Sequence, residues 1–277
     1  MPTLTPPRPT ERVDLRTPAA ATEQRPPGVV TPQQHPLWLS ALLHVLPGAL
    51  LAVFIVAVTP LIRSWGLDPL FALLFGIGLV SAPFQLGYLA LQAKRATGSW
   101  SPLGAVDYRE PIPLRRAIAL AAVPALFMVV LVALSMAFTD ERLATSLFGW
   151  LPHAITDMAV VADTGPAIST AAAVALVVAF VLFNGIVGPI AEELYFRGHL
   201  LARIDRLGWA APLLGTVMFA IYHFHTPWRY PAILLGFLPI AWLAWHKRSF
   251  RVSLAAHLLV NNIFILMMLA AFLNGEA

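Results

Sequence analysis

The chain has 277 residues, 58% of them hydrophobic and 12% charged, with a formal net charge of +4 and a mean hydropathy of +0.75. That balance excludes a soluble globular domain, and a small positive charge fits basic loops on one face of a membrane, with no sign of a nucleic-acid partner. The absence of cysteine excludes disulfides, thiolate catalysis, cysteine-ligated zinc and lipidation on cysteine.

Residues 1–36 come first in chain order and differ in kind, with nine prolines and four arginines. They cannot bury enough apolar surface to offset the entropy of ordering, which predicts a disordered tail. The first apolar run begins only after this tail and is followed by no small-residue cleavage site. This argues against a removable signal peptide and makes the first span the insertion signal.

From there hydropathy predicts spans near 38–62, 69–92, 114–138, 168–187, 190–206, 208–225, 230–246 and 252–273. The expected fold is all-α, a polytopic membrane bundle of about eight transmembrane helices, multi-pass in the cell membrane. The expected organisation is the tail 1–36, amino-terminal membrane helices over 37–160, and a membrane core over 161–277. The fourth and fifth spans are nearly continuous, about 40 residues or roughly 60 Å of helix. Gly188-Pro189 offers a break between them. Eight full crossings would place Arg203, Arg206, Lys247, Arg248 and Arg251 on the side opposite the tail, against the positive-inside rule, whereas seven would bring them to the same side.

The stretch Ala191–Leu200, AEELYFRGHL, puts two glutamates and an arginine inside these apolar runs. Each charge near the bilayer centre costs about 2.5–3.5 kcal/mol on insertion scales, so all three need compensation. Glu193 and Arg197, at i and i+4, share a helix face and suit an ion pair. Glu192 lies about 100° round the helix without that partner, the setting of a general base or acid. The next helix carries Phe219 and His223 at i and i+4, and a hairpin turning at Gly208 brings Glu192 and His223 to the same depth, about 23 Å from the turn. The last helix carries His257 and Asn261 at i and i+4, about 9 and 15 Å in from Arg251. These groups are predicted to meet in one buried cavity.

The series EExxxR (Glu192, Glu193, Arg197), FxxxH (Phe219, His223) and HxxxN (His257, Asn261), in order on successive helices, resembles the CPBP family of intramembrane proteases. That family includes type II CAAX prenyl endopeptidases and bacteriocin-processing or immunity proteins. The likeness covers about residues 190–265, so that 161–277 becomes a CPBP-like catalytic core, and the tail and first three helices carry none of it.

The resemblance implies a CAAX-like endopeptidase that hydrolyses a peptide bond of a membrane-associated or lipidated substrate. Glu192 and His223 would activate a water, with Glu192 as general base. His257 and Asn261 would donate to the oxyanion, while Glu193, Arg197 and Phe219 would support the site. The implied partners are a peptide or protein substrate and the lipid bilayer. The family is described both as metal-dependent and as glutamate-type. Glu192, His223 and His257 form a donor set of the kind that holds zinc with an open position, although HExxH is absent.

The competing class is a non-catalytic membrane protein, either an immunity scaffold or a proton-coupled transporter. A transporter calls for repeated halves with paired broken helices, whereas here the polar motifs are confined to the carboxyl-terminal half. Other polar residues read as structural: His44 and His153 lack partners at motif spacing, Asn184 and Asn262 suit helix packing, and His225, about 200° from His223 on a continued helix, points to the interface.

Overall fold

The computed structural model describes residues 32–159 and 169–273, with side chains through residue 270. The tail as far as residue 31 and the domain boundary drawn at 160–161 lie outside the described residues. The described residues from Pro32 onward form one compact unit.

Long runs of Leu, Val and Ala form helices because backbone polar groups in hydrocarbon must be satisfied within their own segment. Helix α1 spans Leu37–Ser64. Helix α2 covers Leu70–Thr97 and ends at Gly98, whose φ of 77° lets its N–H return to Lys94 O. Helix α3 spans Leu114–Phe138, and two short helices follow, α4 at Asp140–Ser146 and α5 at His153–Thr156. Helix α6 runs over Thr170–Leu207, α7 over Ala210–Tyr222, α8 over Tyr230–Lys247 and α9 over Phe250–Leu273. Five of them, α1, α2, α3, α6 and α9, are long and apolar enough to cross a membrane.

The chain is therefore a multi-pass, all-α membrane bundle, as expected, and two of the expected spans run together. The predicted fourth and fifth are one helix, α6, uninterrupted at Gly188-Pro189. The reason is a π-helical stretch at Phe180–Val187 just before the dipeptide. Its wider turn takes up the proline ring, which in a regular helix strikes the carbonyl four residues back. Gly188 contributes by lacking a Cβ, which would lie 2.9 Å from Phe183 O. Pro189 offers no N–H to the carbonyls behind it; Asn261 Nδ2 donates to Asn184 O at 2.8 Å and Asn262 Nδ2 to Gly185 O at 3.0 Å. Side chains from α9 thus satisfy the backbone that the proline frees.

Loop contacts sort the helix ends into two groups. At one end His35 N donates to Arg203 O, Asp107 N and Tyr108 N to Gly198 O, Glu110 N to Arg248 O and Phe250 N to Tyr108 O. At the other, Arg63 pairs with Asp157, and Arg229 with Asp140. Helices α1, α3, α7 and α9 run from the first end toward the second, and α2, α6 and α8 run back. Lys94, Arg95, Arg109, Arg115, Arg116, Arg203, Arg206, Lys247, Arg248 and Arg251 then gather at the first end, against Arg63, Arg142 and Arg229 at the second. The first end is the one that the positive-inside rule assigns to the cytoplasm.

Residues 32–36, grouped with the tail by composition, are bonded at this first end: Gln34 Nε2 donates to Ala202 O, and Arg206 donates to both Gln34 and His35. Burial here lowers the pKa of His35, with Arg203 and Arg206 adding to the effect. It also raises that of Asp107 against the pull of Arg203, which lies 3.2 Å away. The main apolar core joins Leu89, Ala121, Tyr195, Phe219, Ile240 and Ala256, from six different helices.

Candidate active site

Glu192 and Glu193 sit where α6 changes from a short α-helical stretch, Gly188–Glu192, to a second π-helical stretch, Glu193–Leu200. Such widened turns recur at functional sites because they redirect side chains. Every residue from Ala191 to Leu200 is buried.

Adjacent in sequence, the two carboxylates enter different surroundings. Glu193, with no exposure, pairs with Arg197 Nη1 at 3.4 Å and lies 2.9 Å from His257 Nδ1. The Arg197 guanidinium lies 3.8 Å from the centre of the Phe219 ring and 4.9 Å from that of Phe237, a desolvated cation–π arrangement. Phe219, the first residue of FxxxH, therefore meets the arginine of EExxxR directly. The i, i+4 ion pair is present as the spacing predicts, and Glu193 reaches His257 as well, a link that spacing on one helix could not reveal.

Glu192 turns toward α7 and α2. Its Oε1 accepts from the Tyr222 hydroxyl at 3.1 Å, and that hydroxyl lies 2.8 Å from Ser81 Oγ and 3.5 Å from Gln85 Nε2. Glu192 Oε2 is buried with no hydrogen-bond partner among the described residues. Glu192 also lies within electrostatic reach of His257, Glu193 and Arg197.

Helix α7 ends at Tyr222, and His223 begins a turn. His223 Nδ1 faces Phe219 O at 2.9 Å. A carbonyl only accepts, so Nδ1 carries the hydrogen, and Nε2 of the neutral ring is a free base. The ring packs edge-on to Phe219, with centroids 4.8 Å apart, and lies within electrostatic reach of His257 and Arg197. The same reasoning applies to His257: with Nδ1 donating to the Glu193 carboxylate, only the imidazolium donates from Nε2. Asn261 directs one amide hydrogen to Asn184 O.

His225 is placed differently from expectation. The helix does not continue past Tyr222, so the turn brings the His225 ring to 5.6 Å from that of His223. His225 is buried, and its Nδ1 has no hydrogen-bond partner among the described residues. Sequence reasoning also missed Tyr222, Ser81 and Gln85. The available signal was a serine and a glutamine at i and i+4 within an apolar span, which implies a polar partner across the bundle.

The candidate metal donors are Glu192, His223 and His257. Among the described residues no group of three or more His, Asp or Glu side chains is arranged to hold an ion. His223 and His257 each turn Nδ1 to Phe219 O or to Glu193, which leaves Nε2 of each ring open.

Residues 174–263 match the Rce1-like family, the type II CAAX prenyl endopeptidases. The likeness to CPBP proteases that the three motifs carry is thereby borne out, and the matched segment contains all of them. No curated protein and no solved structure matches the chain.

Proposed function

We propose that the protein is an intramembrane endopeptidase of the CAAX type that cleaves a lipidated or membrane-associated peptide, with the water activated between Glu192 and His223. The peptidase class rests on the Rce1-like match over 174–263. The assignment of roles rests on one observation above the others: Glu192 keeps one oxygen occupied by Tyr222 while its second, buried and unpartnered, is available to accept a proton.

The side chains act in a definite order. A water between Glu192 Oε2 and His223 Nε2 loses its proton to the carboxylate as its oxygen attacks the peptide carbonyl, and Glu192 then returns the proton to the leaving amine. The developing oxyanion meets the imidazolium of His257, whose charge is supported by Glu193 through Nδ1, and the second amide hydrogen of Asn261. Arg197 and Phe219 hold Glu193 and the end of α7 in place. A largely dry site strengthens each of these interactions relative to water.

The test uses full-length protein in lipid vesicles and a farnesylated peptide ending in a CAAX sequence, with release of the terminal tripeptide as the readout. Glu192→Gln and His223→Ala are each expected to lower kcat by about a hundredfold or more, with the fold retained by thermal melting. Unchanged cleavage by Glu192→Gln would overturn the assignment of the base. A parallel series with a chelator, then with zinc restored, tests for a metal: loss and recovery of activity would add an ion to this site.

A further inference from the structure

The four helices of the motif-bearing region do not complete the surroundings of Glu192; α2 does. Ser81 lies at the end of the π-helical stretch Ile77–Ser81 and Gln85 one turn further on. Both are buried, Ser81 at 1% exposure and Gln85 at 0%. Tyr222 is also buried and donates its single hydroxyl hydrogen to Glu192 Oε1. Its oxygen must therefore accept from its other neighbours, which assigns the hydrogen between Ser81 and Tyr222 to Ser81. Gln85 Nε2 donates to Ser81 Oγ at 3.3 Å and to the tyrosine oxygen at 3.5 Å. The hydrogen bonds thus all point one way, from α2 through Tyr222 to the carboxylate.

We infer that Ser81 and Gln85 are positioning residues, which fix Tyr222 so that its hydroxyl holds Glu192 Oε1 and leaves Oε2 as the atom that takes the proton. The proposal rests on the reading of Glu192 as general base. A hydroxyl that receives hydrogen bonds is a better donor in turn, so two neutral residues on a motif-free helix strengthen the contact to the carboxylate. The backbone geometry agrees: a Cβ on Gly48 of α1 would lie 1.9 Å from Tyr222 O, so α1 clamps the same residue from its other side. The charged and titratable groups facing Glu192 are Glu193 and Arg197 on its own helix, Tyr222 on α7 and His257 on α9; α2 contributes only neutral donors.

The experiment compares wild type, Glu192→Gln, Tyr222→Phe and Ser81→Ala as full-length protein in vesicles. Infrared spectra and steady-state kinetics on the farnesylated peptide are recorded for each. The carboxylate band that disappears in Glu192→Gln is expected to shift in Tyr222→Phe and, by less, in Ser81→Ala. For Tyr222→Phe kcat should fall roughly tenfold or more, and for Ser81→Ala about threefold, with KM unchanged in both, since a charge-assisted bond outweighs a neutral one. A Ser81→Ala protein whose band and kcat both match wild type, while Glu192→Gln is inactive, would overturn the proposal and leave the base intact. Full activity in Glu192→Gln would remove the base itself, and the band shift would still report whether α2 acts on this carboxylate. Phenylalanine is isosteric with tyrosine apart from the hydroxyl, so the apolar packing of the variant is kept.

Discussion

The motif-bearing helices α6–α9 and the motif-free helices α1–α3 contribute to the candidate site in opposite currencies. The first region supplies the charges: Glu193 lies between Arg197 and His257, and Arg197 between two phenylalanine rings. The second supplies no charge there, only the neutral donors Ser81 and Gln85 and a close backbone approach at Gly48. A buried charge in a membrane is costly unless its partner is held rigidly, so charged partners lie at fixed spacing on one helix or face each other across one interface. Neutral donors carry a smaller penalty and can arrive from any helix that packs nearby. The lesson is that motif density marks where charge is balanced, while the neutral groups that stand behind Tyr222, the partner of Glu192, come from a motif-free helix.

This contrast can be broken or sharpened by four substitutions, beginning with the largest expected effect. Glu193→Gln leaves both Arg197 and His257 without their anion and is expected to cost about 3–5 kcal/mol, read as a drop in thermal stability in detergent. Glu192→Gln, in the neighbourhood of neutral donors, should cost far less stability, while turnover is expected to fall by about a hundredfold or more. Equal destabilisation by the two would erase the distinction between the carboxylates.

Next comes Gly48→Ala, which forces a methyl group onto Tyr222 O and should destabilise by about 1–3 kcal/mol. Cleavage by the surviving folded protein should also fall; wild-type turnover at reduced stability would separate the α1 clamp from the chemistry. The smallest effect is expected for Asn262→Leu, which removes the bond to Gly185 O beside Pro189. Bonds of this kind within membranes average about 0.6 kcal/mol. A loss as large as that of Glu193→Gln would show that neutral ties in the motif-bearing half matter as much as its charges.

Much of this arrangement was legible in the chain. The apolar runs specify a membrane bundle because nothing else lets the backbone satisfy itself in lipid. The i, i+4 spacings of Glu193 with Arg197, Phe219 with His223 and His257 with Asn261 place each pair on a common face. The continuity of α6 was not legible, because Gly188-Pro189 looks like a break unless the wider turn at Phe180–Val187 and the amides of Asn261 and Asn262 are known to receive it. His225 was misplaced for a related reason: its direction depends on the helix ending at Tyr222.

The amino-acid sequence alone determined that this is an all-α membrane protein with buried charges requiring partners, and which residues on α6–α9 carry the protease-like motifs. Period and hydropathy are properties of local chain, readable without a partner helix. Tertiary structure decided that Glu193 rather than Glu192 reaches His257, that Tyr222 binds Glu192, and that Ser81 and Gln85 stand behind it. Those contacts join residues up to 141 positions apart, a separation over which no local periodicity carries information. Only the packing of α2 against α6 and α7 brings them together.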